Sequence, residues 1–231
     1  KEKIFKTIDQ LEENGTVLVT LTGGEPTLRN DLGEIVEYAA NTRMMVELVS
    51  NGLNIKKHIK SLRKLDFLGI SIDGGEKAHD KIRGKGSFKT SIAALELGLE
   101  NNIHCRIHCT LTRDNENSLP DVMEIAKKYN VKLNTSVPSV HLDDPSLAFD
   151  NRKIRSYYSQ LKEFHNQGYP VSNAPSTLEY LSNWPGDFTY VSDKHNPNVP
   201  YLPCKRKDFS MYFDVNGESY PCANVWSEYK F

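Results

Sequence analysis

No run of apolar residues in this 231-residue chain approaches the ~18 needed to cross a bilayer as a helix, so no membrane span is expected. Charge of one sign is also missing: 29 basic residues face 30 acidic ones, leaving a net charge of −1. That balance supplies neither a basic stripe for nucleic acid nor a polybasic membrane patch. Only four cysteines are present, at uneven spacing, which does not suit a secreted disulfide framework and favours a reducing, cytoplasmic setting. No Ser-His-Asp or Cys-His arrangement stands out, and no His/Cys/carboxylate set has the spacing of a hydrolytic zinc site. The chain opens at Lys1 and closes at Phe231 inside what reads as an unfinished motif, so it is expected to be an excerpt.

What is there is a regular alternation. Ile4, Phe5, Ile8 and Leu11 share a helical face over residues 3 to 14, with Asn14-Gly15 as the stop. A strand at 17 to 21 precedes a helix capped by Asn30 or Asp31 and carrying Leu32, Ile35, Val36 and Ala39. Strands follow at 45 to 49, 65 to 72, 103 to 111 and 131 to 137, separated by helices near 55 to 64, 88 to 101 and 119 to 129. Strand, loop and helix in strict order imply a parallel sheet with helices outside it. In such a sheet the functional loops gather at the carboxyl ends of the strands, which points to Glu25, Ser50, Asn51, Ser71, Asp73, Thr110 and Thr112. An aldolase or isomerase barrel would show the same order, so fold alone does not choose the chemistry.

The stretch Leu21-Thr22-Gly23-Gly24-Glu25-Pro26-Thr27-Leu28 sits where the first strand ends. Two glycines put no side chain between main chain and ligand, and Pro26 holds Glu25 out of the helical region. The predicted product is a ledge with exposed carbonyls and one carboxylate, suited to an ammonium group. A tight strand-to-helix turn would use the same residues. A different pattern, Cys105-Arg106-Ile107-His108-Cys109, lies in an alternating strand, with the cysteines on one face and Arg106 and His108 on the other. Residues four apart on a strand are ~13 Å apart, too far to share one metal ion, so these cysteines are expected to be structural.

Three segments in order carry a resemblance to a known family. Thr22-Gly23-Gly24-Glu25-Pro26 resembles the GGEP motif of the radical S-adenosylmethionine (SAM) enzymes, which receives the methionine amino group. Ser71-Ile72-Asp73-Gly74, with His79-Asp80, Arg83-Gly84 and Gly86-Ser87-Phe88, is similar to the fourth-strand segment of members bearing a SPASM or twitch extension. Cys204, twelve residues, Gly217, four residues and Cys222 resemble the opening of that extension. The resemblance implies an α/β fold: a partial (β/α)6 barrel at 1–138, a connector with a helix and a proline-rich loop at 139–203, and the start of a small β-hairpin extension at 204–231. Phe209, Met211 and Phe213 would form one hairpin strand, Asp214-Val215-Asn216-Gly217 the turn, and Ser219 to Cys222 the return.

The resemblance also implies chemistry. Family members bind a [4Fe-4S] cluster through Cys-x3-Cys-x2-Cys, which is absent here and expected upstream of Lys1. Reductive cleavage of SAM at that cluster gives a 5′-deoxyadenosyl radical that abstracts hydrogen from a substrate. Carried onto this sequence, the carbonyls of Gly23 and Gly24 with Glu25 would hold the ammonium. Ser71 and Arg83 would serve the carboxylate, and Asp73, Ser50 and Asn51 the ribose. Ordinary roles compete at each: Arg83 paired with Asp80, Asp73-Gly74 as a turn, Ser50-Asn51-Gly52 as a loop. Cys204 and Cys222 would ligate an auxiliary iron-sulfur cluster, zinc or a disulfide being the alternatives without the resemblance. The expected substrate is a peptide or protein, with a small molecule or tetrapyrrole as rival. A flavodoxin or ferredoxin would donate the electron, and nucleic acid and membrane are not expected partners. A non-catalytic binding or scaffold barrel is the alternative outside the enzyme class.

Overall fold

The fold is described from a computed structural model over residues 1–137, 150–184 and 209–220. Five strands, β1 (Leu18–Leu21), β2 (Met45–Ser50), β3 (Phe67–Ser71), β4 (Cys105–Thr110) and β5 (Lys132–Ser136), form one parallel sheet in sequential order. Helices α1 (Glu2–Glu13), α2 (Leu32–Ala40), α3 (Ile55–Leu62), α4 (Glu76–Arg83), α5 (Ser87–Glu100) and α6 (Leu119–Tyr129) flank and link them. Sequential parallel order with a helix in each crossover is how a barrel begins, so the expected α/β partial barrel is what the chain forms.

Alternation along the strands divides the sheet into two faces. Val46, Leu48, Leu68, Ile70, Ile107 and Leu133 point to the helices and are fully buried, each contributing about 1.5–3 kcal/mol. Cys105 and Cys109 share that face, where burial pushes both thiols up to about 12 and keeps them protonated. Cys105 rests on Gly98 of α5, where a Cβ would come within 2.6 Å of its Sγ. The structural reading of these cysteines therefore has a packing reason.

Beyond β5 the chain returns to the same core. Helix α7 (Asn151–Asn166) buries Ile154, Tyr157, Tyr158 and Leu161, and α8 (Pro175–Ser182) buries Leu178. Between them Val171 makes a parallel bridge to Leu133, lying beside β5. The expected hairpin forms as β6 (Tyr212–Phe213) and β7 (Ser219–Tyr220), antiparallel and shorter than predicted. Its Asn216 carbonyl accepts from Lys3 Nζ of α1. Phe209 is exposed and outside the strand. Cys204, Cys222, the loop with His141 and most of the proline-rich stretch with His195 lie outside the described residues.

Some local expectations are corrected. Asp31 occupies the N-cap of α2, but its carboxylate pairs with Arg29 at 3.0 and 2.9 Å instead of capping the helix. Helices α4 and α8 and a 3-10 turn at Pro26–Leu28 were not anticipated.

Candidate functional site

Two polar knots close the carboxyl ends of the strands. The first is built on Glu25. Its Oε1 accepts from the Thr27 amide at 2.9 Å, Thr27 Oγ1 at 2.5 Å and Ser50 Oγ at 2.9 Å; its Oε2 accepts from the Asn51 amide at 2.8 Å. The carboxylate thus ties the loop after β1 to the end of β2. Pro26 opens the 3-10 turn with its φ already suited to it, and is buried. Ser50, also buried, donates to Glu25 and accepts from the Gly52 amide at 3.0 Å, so both its hydrogen-bonding roles are used. Asn51 Oδ1 accepts from the Leu53 amide and its carbonyl from Ser91 Oγ. Gly52 has φ +91°, and a Cβ there would meet Ala94 Cβ at 2.9 Å.

With the carboxylate so anchored, Gly23 and Gly24 stand out from the sheet. Both are exposed, Gly23 at φ +139°, and their carbonyls accept no backbone hydrogen bond among the described residues. An ionised carboxylate offers about four lone-pair positions, so Glu25 Oε2 keeps one beyond the Asn51 bond. Two uncommitted carbonyls and a residual carboxylate position suit an ammonium group.

The second knot is built on Asp73, 2% exposed. Its Oδ1 accepts from the Thr110 amide at 2.9 Å, joining the ends of β3 and β4; its Oδ2 accepts from Arg83 Nε at 2.5 Å. The Asp73 amide donates to His79 Nδ1 at 3.0 Å, which places the imidazole proton on Nε2. Burial lowers the His79 pKa, so the ring stays neutral. Asn115 Nδ2 donates to the Asp73 and Thr110 carbonyls, while its Oδ1 accepts from the Thr112 amide. Arg83 therefore pairs with Asp73 and not with Asp80, whose carboxylate accepts from the Gly86 and Phe88 amides at the start of α5. Backbone donors hold Asp80 below the usual carboxylate range. The Arg83 side chain, 31% exposed, keeps its two terminal nitrogens without a partner among the described residues. Ser71 is buried and its hydroxyl likewise has no partner there.

The structure thus groups Glu25, Ser50 and Asn51 in one knot and Asp73, Arg83 and Thr110 in the other. Thr27, His79 and Asn115 are members that sequence reasoning did not single out. His79 lies in the segment after Ser71-Ile72-Asp73-Gly74 that resembles the family, which gives it no role, and Asn115 joins Asp73 across a separation of 42 residues. Among the described residues no group of three or more His, Cys, Asp or Glu side chains has a geometry to hold a metal ion. No helix among them is long and apolar enough to cross a membrane.

A parallel α/β sheet with two exposed glycine carbonyls beside an anchored carboxylate after β1 and a charged knot after β3 is a partial barrel whose polar groups gather at the strand ends. The profile of the radical SAM superfamily matches residues 1–126, and the chain belongs to that superfamily. Membership implies SAM and a [4Fe-4S] cluster as cofactors.

Among curated relatives, Fe-coproporphyrin III synthase of Methanosarcina barkeri is 26% identical over 82% of this chain and 50% of its own length. Mycofactocin maturase MftC of Mycolicibacterium smegmatis is 34% identical over 54% of this chain and 33% of its own. Streptococcus suis SuiB bound to S-adenosylmethionine superposes with a TM-score of 0.77 at 16% identity, covering all of this chain and 55% of that one. This last likeness concerns the fold. The chain spans half or less of the length of these curated relatives.

Proposed function

We propose that this chain is the core of a radical SAM enzyme that reductively cleaves SAM and abstracts hydrogen from a peptide or protein substrate. The observation that carries this reading is the ledge itself: two exposed glycine carbonyls beside a carboxylate fixed by four hydrogen bonds. Gly23, Gly24 and Glu25 would hold the SAM ammonium, with Pro26 fixing the loop. Arg83, its Nε locked by Asp73, would offer its free nitrogens to the carboxylate beside the Ser71 hydroxyl. Asn51 would reach the ribose through its amide NH2, while Ser50 and Asp73 act by positioning Glu25 and Arg83.

The cofactors, when bound, supply a 5′-deoxyadenosyl radical; the protein supplies orientation and a cavity that excludes water. The cluster ligands are not among the residues of this chain, and Cys204 with Cys222 remain candidates for an auxiliary cluster. A flavodoxin or ferredoxin is the proposed electron donor and the cytoplasm the proposed location. The peptide reading draws on the maturase relative. A small-molecule or tetrapyrrole substrate is the second reading, favoured by the Fe-coproporphyrin III synthase match over most of this chain.

The test is SAM binding. Replacing Arg83 with Ala in the full-length enzyme should weaken SAM affinity by roughly tenfold or more, the loss of a charge-assisted contact. Calorimetric titration would read it, and unchanged affinity would remove Arg83 from the site.

A further inference from the structure

The face of the sheet turned away from the helices carries a further cluster, separate from the two knots at the strand ends. Glu47 of β2, 6% exposed, reaches over β3 toward Arg106 and His108 of β4. Gly69 makes this crossing open: a Cβ there would lie 2.6 Å from His108 Cδ2 and 2.7 Å from its Nε2. Glu47 Oε2 accepts from Thr20 Oγ1 at 3.1 Å, whereas Oε1 stands 3.6 Å from an Arg106 nitrogen and 3.5 Å from His108 Nε2. These last are electrostatic approaches and not hydrogen bonds, so Glu47 Oε1 and His108 Nε2 are buried without a hydrogen-bond partner.

Arg106 is fixed by other means. Its guanidinium carbon lies over the Phe67 ring, 3.4 Å from the centroid, and none of its donors makes a hydrogen bond among the described residues. It still exposes 30% of its side chain. Alternation puts Arg106 and His108 on the same face of β4, His104 lies one residue ahead of the strand, and the β4–β5 register sets Lys132 beside Arg106. Against these cationic or protonatable groups the cluster has one acid, Glu47. Arginine and lysine outweigh it even with both histidines neutral.

We propose that Arg106, backed by His108 and Lys132, is a carboxylate-recognition site inside the barrel that anchors an acidic group of the substrate. A planar fork of uncommitted donors, pre-positioned on an aromatic face within a net-positive wall, matches the two oxygens of a carboxylate. Glu47 limits the surplus charge and steers Arg106. The carboxylate comes either from an acidic side chain of a peptide or from a propionate of a small molecule. The proposal rests on the radical SAM reading, in that the inner face is taken as the substrate chamber.

The experiment is a calorimetric titration of the full-length protein, with SAM present and absent, needing no turnover. Acetyl-Ala-Glu-Ala-amide, its Gln counterpart and coproporphyrin III are the probes. The parent is expected to bind the Glu peptide at least about tenfold more tightly than the Gln peptide. Arg106→Gln should abolish that preference while leaving SAM affinity unchanged. Arg106→Lys, which keeps the charge and loses the fork, should retain part of it, and it decides the matter if Arg106→Gln fails to fold by circular dichroism. Arg106-dependent binding of coproporphyrin without the peptide would uphold the carboxylate site and assign it to a small molecule. Equal affinity for Glu and Gln peptides with no Arg106-dependent coproporphyrin binding, or a preference that survives Arg106→Gln, overturns the proposal. Loss of SAM binding alone would count against the radical SAM reading and not against this site.

Discussion

The knots on Glu25 and Asp73 join neighbouring strand ends through a carboxylate, yet they do so in different surroundings. Glu25 is half-buried and accepts from two backbone amides and two hydroxyls, so its charge organises main chain and leaves a loop displayed to solvent. Asp73 is sealed off and balanced by a guanidinium, so its charge organises side chains and the backbone around them. A carboxylate that gathers neutral donors keeps a negative charge available for a cation. One that gathers an arginine spends its charge locally and instead aims the rest of that arginine outward.

Breaking the second knot should have the largest effect. Asp73→Ala leaves Arg83 without its counter-charge and the Thr110 amide without an acceptor, and is expected to destabilise the fold by about 3 kcal/mol, read by urea denaturation. Gly52→Ala comes next, since a Cβ would be strained at φ +91° and crowd Ala94; about 2 kcal/mol is expected by thermal unfolding. Glu25→Gln should cost about 1–2 kcal/mol in the same assay, because the NH2 that replaces one carboxylate oxygen donates only, leaving the Asn51 or the Thr27 amide without its acceptor. A loss for Glu25→Gln as large as that for Asp73→Ala would erase the distinction between the knots.

The smallest effect is a pH slope. His79 is held neutral in the fold, its pKa lowered from 6.5 by burial, so the unfolded chain binds its proton first as pH falls. Stability associated with His79 is complete above about pH 6.5 and is lost as pH drops toward the lower folded value. His79→Gln should flatten that part of the stability curve, measured by denaturant midpoint between pH 7 and 5.

The strands were legible because each is a short run, apolar in β1 to β3 and alternating in β4, set in a regular strand–helix order, and the ledge because Gly-Gly-Glu-Pro directly after the first strand resembles a family motif. Helix α4 was not: Glu76–Arg83 is short, almost wholly polar and buries only His79. The knots were half legible. Polar residues at strand ends were expected, but which partner each would choose depends on contacts such as Glu25 with Ser50 and Asp73 with Asn115, 25 and 42 residues apart. Hydrogen bonds at such separations leave no periodic trace. The inner-face cluster was visible only as an alternation in β4, because the crossing by Glu47 depends on register.

Gly69 gives that crossing a further meaning. A hydrogen atom in place of a side chain sets the floor of the sheet's inner face between β2 and β4, and the imidazole of His108 rests in the vacated space. Adding one methyl would raise the floor and lift His108 from it. If the inner face is the substrate chamber proposed above, the room left for a guest would be set by a single backbone position, away from both charged knots at the strand ends.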